Sequence, residues 1–450
     1  MITNDTIVAT ATAPGRAGVA VTRVSGTRAR DVITALCGRL PEARKATRFL
    51  FRDPGTGDVL DDGLVLWFPG PASFTGEDTA EFQGHGGKAV TDALLQTIRR
   101  MDGVRIAEPG EFSRRAFLNG KLDLTRVEGL ADLIQAETDA QRRQALQQMD
   151  GALARLYDSW REELVRRLAW MEAHIDFPDE DIPPDLDRSA RNGLEELAQT
   201  IDAYLSDNRR GERIRDGIQI AVIGRPNAGK SSLVNALAQR EAAIVSDQAG
   251  TTRDIIEIHL DLGGFPVTIA DTAGLRSSNE DIEAEGIRRA RVRASTADLK
   301  IAVFDLTEWP ELDEETLSLV DSSTLIVLNK SDVATPYPDR MLTISGSGAH
   351  SLLLSTRSGE GMTELLSTLT AMVAERLNAG AHAPPALTRQ RHRDALEDCR
   401  DSLLRAIHAP MLELMVEDVR LAARALGRIT GRVEVDDLLD VIFSDFCIGK

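Results

Sequence analysis

The sequence predicts a multidomain chain: an α+β N-terminal domain, an all-α helical domain, and an α/β unit with a mostly parallel sheet inserted into the helical one. Three observations lead there. At 450 residues the chain exceeds what a single hydrophobic core serves. Short β-rich runs alternate with helical ones from Gly217 to Leu377. Helical text stands on both sides of that stretch, so the simplest architecture packs the flanking helices together and inserts the α/β unit between them.

Taken in order, residues 1–118 carry apolar runs (TIVATAT, GVAVTRVSG, VLDDGLVLWFPG) cut by Gly and Pro, with one helix at about 88–100, which reads as the α+β domain. From Leu122 to Ile175 there is no proline and Leu and Ala recur at helical spacing. Pro183 and Pro184 in DFPDEDIPPDLD must break helix, because they lack N–H donors and exclude the preceding residue from helical geometry. Helix then resumes to about Arg210, so 119–215 is the first part of the helical domain. Within 216–379 the strand runs are IQIAVIG, IIEIHLDL, VTIADTAG, IAVFDLT, TLIVLNK and SLLLST, interleaved with helical text such as SSLVNALAQR and MTELLSTLTAMVAERL. NAGAHAPPALT reads as a linker, and 380–450 completes the helical domain.

Bulk properties exclude several classes. Lys and Arg number 53 against 71 acidic residues, and a net charge of -18 opposes general attraction to nucleic acid. Local basic clusters, Arg288, Arg289, Arg291 and Arg293 and then Arg389, Arg391, His392 and Arg393, are either RNA contacts or solvated helix faces. Cys37, Cys399 and Cys447 give neither a disulfide framework nor a zinc pattern. No stretch reaches 18 apolar residues and no signal peptide opens the chain, so a soluble, cytoplasmic protein is expected.

Gly224-Arg225-Pro226-Asn227-Ala228-Gly229-Lys230-Ser231 fits the phosphate-loop template of Gly, four residues, then Gly-Lys-Ser, and stands between a strand run and a helical run. Its glycines let backbone N–H groups converge on phosphates, Lys230 neutralises the outer ones, and the Ser231 hydroxyl, followed by Ser232, suits magnesium. Asp271-Thr272-Ala273-Gly274 places a carboxylate at a strand end and a backbone N–H for the γ-phosphate. Asp332 in Asn329-Lys330-Ser331-Asp332 can accept both N1–H and N2–H of guanine, a donor pair that adenine lacks. Ser355-Thr356-Arg357 can meet the guanine O6 through its backbone, and Gly250-Thr251-Thr252-Arg253-Asp254 offers hydroxyls to magnesium and the γ-phosphate. Together these make the unit a Ras-like P-loop GTPase domain.

With PGRAGVAVTRVSG, FTGEDTAEFQGHGG and PGEFSRRAFLNGKLDL at the front and FCIGK at the end, the whole chain resembles the MnmE (TrmE) family of tRNA-modification GTPases. The resemblance implies a homodimer that works with the flavoprotein MnmG in a heterotetramer or larger complex. Their product is an aminomethyl or carboxymethylaminomethyl group at C5 of the tRNA wobble uridine, built from a 5-formyl- or methylene-tetrahydrofolate donor. Where Ras-type enzymes place glutamine after the DTAG glycine, this chain has Leu275, which cannot orient water. Acidic candidates downstream are Glu280, Asp281, Glu283 and Glu285, and the family's catalytic glutamate aligns with Glu283. Arg253 or Arg276 are candidates for an arginine finger. The family instead implies potassium at that position, with ligands carried over to Asn227, Ser246, Gln248 and Thr251, while Thr252 joins Ser231 on magnesium. Asn227 is also a plausible turn residue by type. Folate contacts carry over to Arg23, Glu81, Lys121 and Lys450. Cys447 is either a buried small side chain or a functional thiol. The alternatives are an Era-like ribosome-assembly GTPase, which would need an RNA-binding GXXG loop that 380–450 lacks, and a non-catalytic GTP-gated switch.

Overall fold

The computed structural model describes residues 5–176, 186–240, 257–271, 292–333, 350–377 and 385–433, together with 439, 442, 443, 446 and 449. The chain divides into two compact units, one of residues 1–131, 148–195 and 398–450, the other of residues 132–147 and 196–397.

The first unit holds a six-stranded sheet in the order β3-β4-β5-β2-β1-β6. Its strands are β1 (Thr6–Thr10), β2 (Ala17–Ser25), β3 (Thr47–Arg52), β4 (Val59–Phe68), β5 (Thr79–Gly86) and β6 (Val104–Ile106). Strand alternation explains its two faces. Phe49 and Phe51, Val65 and Trp67, and Ala80 and Phe82 point to one side, where helices Ala29–Cys37 and Lys88–Arg99 bury them with Ile33, Leu36, Leu94 and Ile98. On the other side Ile7 and Ala9 meet Ala107 and Phe112, the latter on helix Glu111–Leu118. The predicted helix at 88–100 is present; β3, β5 and β6 were not legible as strands.

The same unit contains the long helix Ala152–Asp176, whose Leu153, Tyr157, Trp160 and Leu164 recur at helical spacing and are buried. It runs antiparallel to helix Leu412–Thr430, with Arg420 bonded to Glu172 at 2.8 Å and Arg432 to Asp158 at 2.8 Å. The C-terminal aromatic residues Phe443 and Phe446 pack with Leu124 and Val127. Gly110 lies against Phe443, where a Cβ would stand 2.6 Å from its carbonyl oxygen, and a Cβ on Gly449 would stand 2.3 Å from that of Thr10. Gly449 thus sits against the end of β1.

The second unit is built on a sheet in the order β12-β11-β10-β7-β9-β8. Its strands are β7 (Ile218–Ile223), β8 (Glu257–Leu262), β9 (Phe265–Asp271), β10 (Leu299–Asp305), β11 (Thr324–Asn329) and β12 (His350–Leu353). Every pairing is parallel except the β8–β9 hairpin at the edge. Ile301 and Val303 pack on one face with helices Lys230–Arg240 and Met362–Leu377, and Ala302 and Phe304 pack on the other with Leu306 and Leu317. Strands buried on both faces read as continuous apolar runs, as IQIAVI and TLIVL do. In the stretch ELDEETLSLV helix forms only at Glu314–Leu317, after Asp313 caps it by accepting from the Thr316 N–H at 2.9 Å.

The second basic cluster resolves as structure rather than an RNA contact. Arg393 is buried and donates to Asp207 at 2.8 Å and Glu212 at 3.1 Å, Arg389 meets Asp132 at 2.5 Å, and His392 is fully buried. Of the first cluster, Arg288, Arg289 and Arg291 lie outside the described residues.

Candidate functional site

The parallel strands of the second unit bring the nucleotide motifs to one edge of the sheet, since each motif follows a strand's carboxyl end. The phosphate loop follows β7, Asp271 closes β9 in register with Val222, Asn329 closes β11, and Ser355 lies two residues past β12.

The loop's geometry explains its residues. Gly224 has φ +146° and a Cβ there would lie 2.3 Å from the Val303 carbonyl oxygen; Gly229 has φ +101° and its Cβ would lie 2.1 Å from Nδ2 of Asn329. Neither position admits a side chain. Asn227 sits at φ +67°, the left-handed region that asparagine tolerates, so its turn role is real. It is also exposed at the loop's crest. Lys230 is buried, its ammonium donating to the carbonyls of Gly224 at 2.7 Å and Arg225 at 2.8 Å. Ala228 is buried behind it, and Ser231 and Ser232 lie in the first turn of helix Lys230–Arg240, whose first N–H groups have no partner within the helix.

Asn329 joins the two halves of the site. Its Nδ2 donates to the Ala228 carbonyl at 2.9 Å and its Oδ1 accepts from the Thr356 N–H at 3.2 Å, linking the phosphate loop to the Ser355-Thr356-Arg357 turn. Asp332 accepts from the Ser355 hydroxyl at 2.8 Å, which aims the carboxylate, and Ser355 is fully buried. Lys330, at φ +67°, meets the Asp305 carboxylate at the end of β10. Burial would raise the Asp305 carboxyl, but bonds from Lys330 and Thr307 outweigh it and hold it below its usual range. Asp305 was missed by motif reading, although a lone acid closing the run IAVFD was a usable signal.

A cleft of about 520 Å³ runs along the outer flank of the loop, lined by Arg225, Asn227, Asp305, Glu308, Asp313 and Thr316 among others. It does not include Lys230, Asp332 or Ser355, so it is a neighbour of the nucleotide groups and not the base pocket. The side chain of Asp271, and Ser246, Gln248, Gly250, Thr251, Thr252, Thr272, Ala273, Gly274 and Glu283, lie outside what is described.

The first unit carries the other predicted set. Arg23 on β2 stands directly opposite Glu81 on β5, and its Nε donates to Glu81 Oε1 at 3.0 Å. The guanidinium lies 5.6 Å from the Phe74 ring centre and 5.7 Å from that of Phe112. Lys121 donates to the Pro71 carbonyl at 2.8 Å, in the same loop as Phe74. A carboxylate, two cations and Phe74, 37% exposed, are the chemistry that could receive a planar aminopyrimidine ring with an acidic tail. Phe74 opens the segment FTGEDTAEFQGHGG that carries the resemblance, but it was not among the contacts the resemblance implied. Lys450 and Cys447 lie outside the described residues. Burial pushes the Cys37 thiol up to about 12 and also raises Cys399, which disfavours the thiolate at both.

Comparison with known proteins follows this division. A family model described as the GTP-binding protein TrmE N-terminus matches residues 6–121, and one described as the MnmE helical domain matches residues 124–447. Proteins named tRNA modification GTPase MnmE are similar over their whole length. That of Rhodospirillum rubrum is 56% identical, with 100% of both chains covered. That of Paramagnetospirillum magneticum is 55% identical over 99% of this chain and 100% of its own. That of Parvibaculum lavamentivorans is 54% identical with the same coverage.

Proposed function

The chain belongs to the MnmE family of tRNA-modification GTPases, and from that premise we propose that it hydrolyses GTP in the service of tRNA modification. The observation that carries the reading is the Asn329 bridge, which unites a phosphate-binding loop with a base-reading turn whose Asp332 is aimed by Ser355. Lys230, already set among loop carbonyls, can share its protons with the outer phosphates. Asp332 selects guanine. Ser231 and Thr252 would hold magnesium, which supplies positive charge to the transferring phosphoryl group.

The finer proposals follow the family. Asn227, exposed at the loop crest, with Ser246, Gln248 and Thr251, would hold potassium, and Glu283 would orient the water that Leu275 cannot. Arg23, Glu81, Lys121 and Lys450 would bind a 5-formyl- or methylene-tetrahydrofolate. A homodimer acting with MnmG on tRNA in the cytoplasm would install the C5 group on the wobble uridine. The domains are read as 1–118, 119–215, 216–379 and 380–450, with the GTPase domain inserted. No helix among the described residues is long and apolar enough to cross a membrane. The family match over 124–447 removes the Era-like alternative, whose C-terminal module differs.

Mass spectrometry of wobble uridine from cells lacking the protein tests this directly. Loss of the aminomethyl and carboxymethylaminomethyl groups is expected, and an unchanged nucleoside profile would overturn the assignment.

A further inference from the structure

The loop between β4 and β5 touches both cations of the proposed folate set, yet its hold on the sheet comes from elsewhere. Phe74 meets Arg23 and the Pro71 carbonyl meets Lys121. Below them the loop is anchored at successive residues. Thr75, fully buried, bonds through its hydroxyl to Ser25 at 2.7 Å, and its carbonyl accepts from Asn119 at 2.7 Å. Glu77 accepts from Ser25 at 2.8 Å and from Arg115 at 3.1 Å. Asp78 accepts from the Gly70 N–H at 2.9 Å, closing the loop on itself.

Arg115 is buried and is the centre of this anchor. Besides Glu77 it reaches the Asp5 carbonyl and carboxylate, each at 2.9 Å, and Glu111 at 3.0 Å. Glu111 is in turn gripped by both terminal nitrogens of Arg105, at 2.7 and 2.6 Å. An ion cluster built round a buried pair such as Arg115 and Glu111 contributes less stability than apolar packing of the same volume, and its best-supported use is to specify one arrangement. Here the arrangement specified is that of an exposed loop. Ordering such a loop before a ligand arrives removes part of the entropy cost of binding.

We propose that Arg115, acting through Glu77, is a positioning residue for the folate site, fixing the 70–78 loop so that Phe74 and the Pro71 carbonyl set Arg23 and Lys121 toward the ligand. The proposal rests on the folate reading above. Calorimetric titration of the full chain with 5-formyl-tetrahydrofolate tests it on wild type, Glu77→Gln, Phe74→Ala and the double variant. Glu77→Gln should weaken binding by roughly tenfold, while leaving GDP affinity unchanged. In the Phe74→Ala background the same change should cost only about threefold, because one of the two groups the loop positions is gone while the Pro71 carbonyl remains. A merely structural role would instead let the two losses multiply, and that result, or wild-type affinity in Glu77→Gln, overturns the proposal. Should Glu77→Gln fail to fold, Asn119→Ala, on the exposed end of the anchor, is expected to show the same non-additivity. If the wild-type chain itself does not bind, the folate reading is what fails, and the proposal goes with it.

Discussion

Replacing Gly229 with alanine should cut nucleotide affinity by roughly a hundredfold or more, and the structure shows where the loss arises. The new Cβ would stand 2.1 Å from Asn329 Nδ2, on a backbone at φ +101°. That backbone costs a non-glycine residue roughly 1–3 kcal/mol. Asn329 cannot step aside without releasing the Ala228 carbonyl and the Thr356 N–H, and each buried group left unpaired costs about 1–3 kcal/mol. Even at the low end these reach about 3 kcal/mol, and because the nucleotide must restore the wild-type loop and the Asn329 bridge in order to bind, that cost is carried into binding as over a hundredfold in affinity. Titration with a fluorescent GDP analogue, with circular dichroism to confirm folding, measures it. The same substitution in an Asn329→Ala background should add only the backbone cost, since the clashing atom is gone. Affinity within threefold of wild type for Gly229→Ala, or fully additive losses in the double variant, would refute the argument.

Four further outcomes are expected. Ser355→Ala, which removes the donor that aims Asp332, should raise the Kd for GDP by about tenfold in the same titration, as for a lost bond to a charged group. GTP turnover should rise steeply when sodium is replaced by potassium, and Glu283→Ala should abolish turnover while sparing binding; equal rates in both salts would remove the metal-finger mechanism. Lys121→Ala should weaken 5-formyl-tetrahydrofolate binding in calorimetry, and unchanged affinity would displace that residue from the site. Burial opposes the Asp321 carboxylate, but bonds from Lys300, Ser323 and Thr324 prevail and lower it from 3.8 to about 2. A depressed acid stabilises the fold above its unfolded value, so the melting difference between wild type and Asp321→Asn should be present at pH 5 and fade as pH falls from about 4 toward 2.

What was legible in the sequence followed from strong local signals. Apolar runs such as IQIAVI and TLIVL must be buried strands, and MTELLSTLTAMVAERL forms a helix over the whole stretch read as helical, Met362–Leu377. The phosphate and guanine motifs could be proposed from sequence because such chemistry depends on residue type at fixed spacing, and Asn329 bonds one to the other. Strand β5, TAEFQGHG, was not, because glycines and charges break its alternation and only cross-strand pairing with β2 and β4 makes it a strand. The buried Arg115 cluster was likewise hidden: Asp5, Glu77 and Arg115 are far apart in sequence, and a charge is read as solvated until tertiary contacts bury it. Arg393 and His392 misled in the same way, since a basic run on a helix does not disclose the acids that face it.

Competition for the nucleotide site tests the central claim most directly: GTP, ATP and XTP are each set against a fluorescent GDP analogue on wild type and on Asp332→Asn. The account predicts that wild type holds GTP at least a thousandfold more tightly than ATP, roughly the discrimination a buried hydrogen-bonding pair provides, and that Asp332→Asn shifts preference toward XTP. ATP bound as tightly as GTP by the wild-type chain would contradict it.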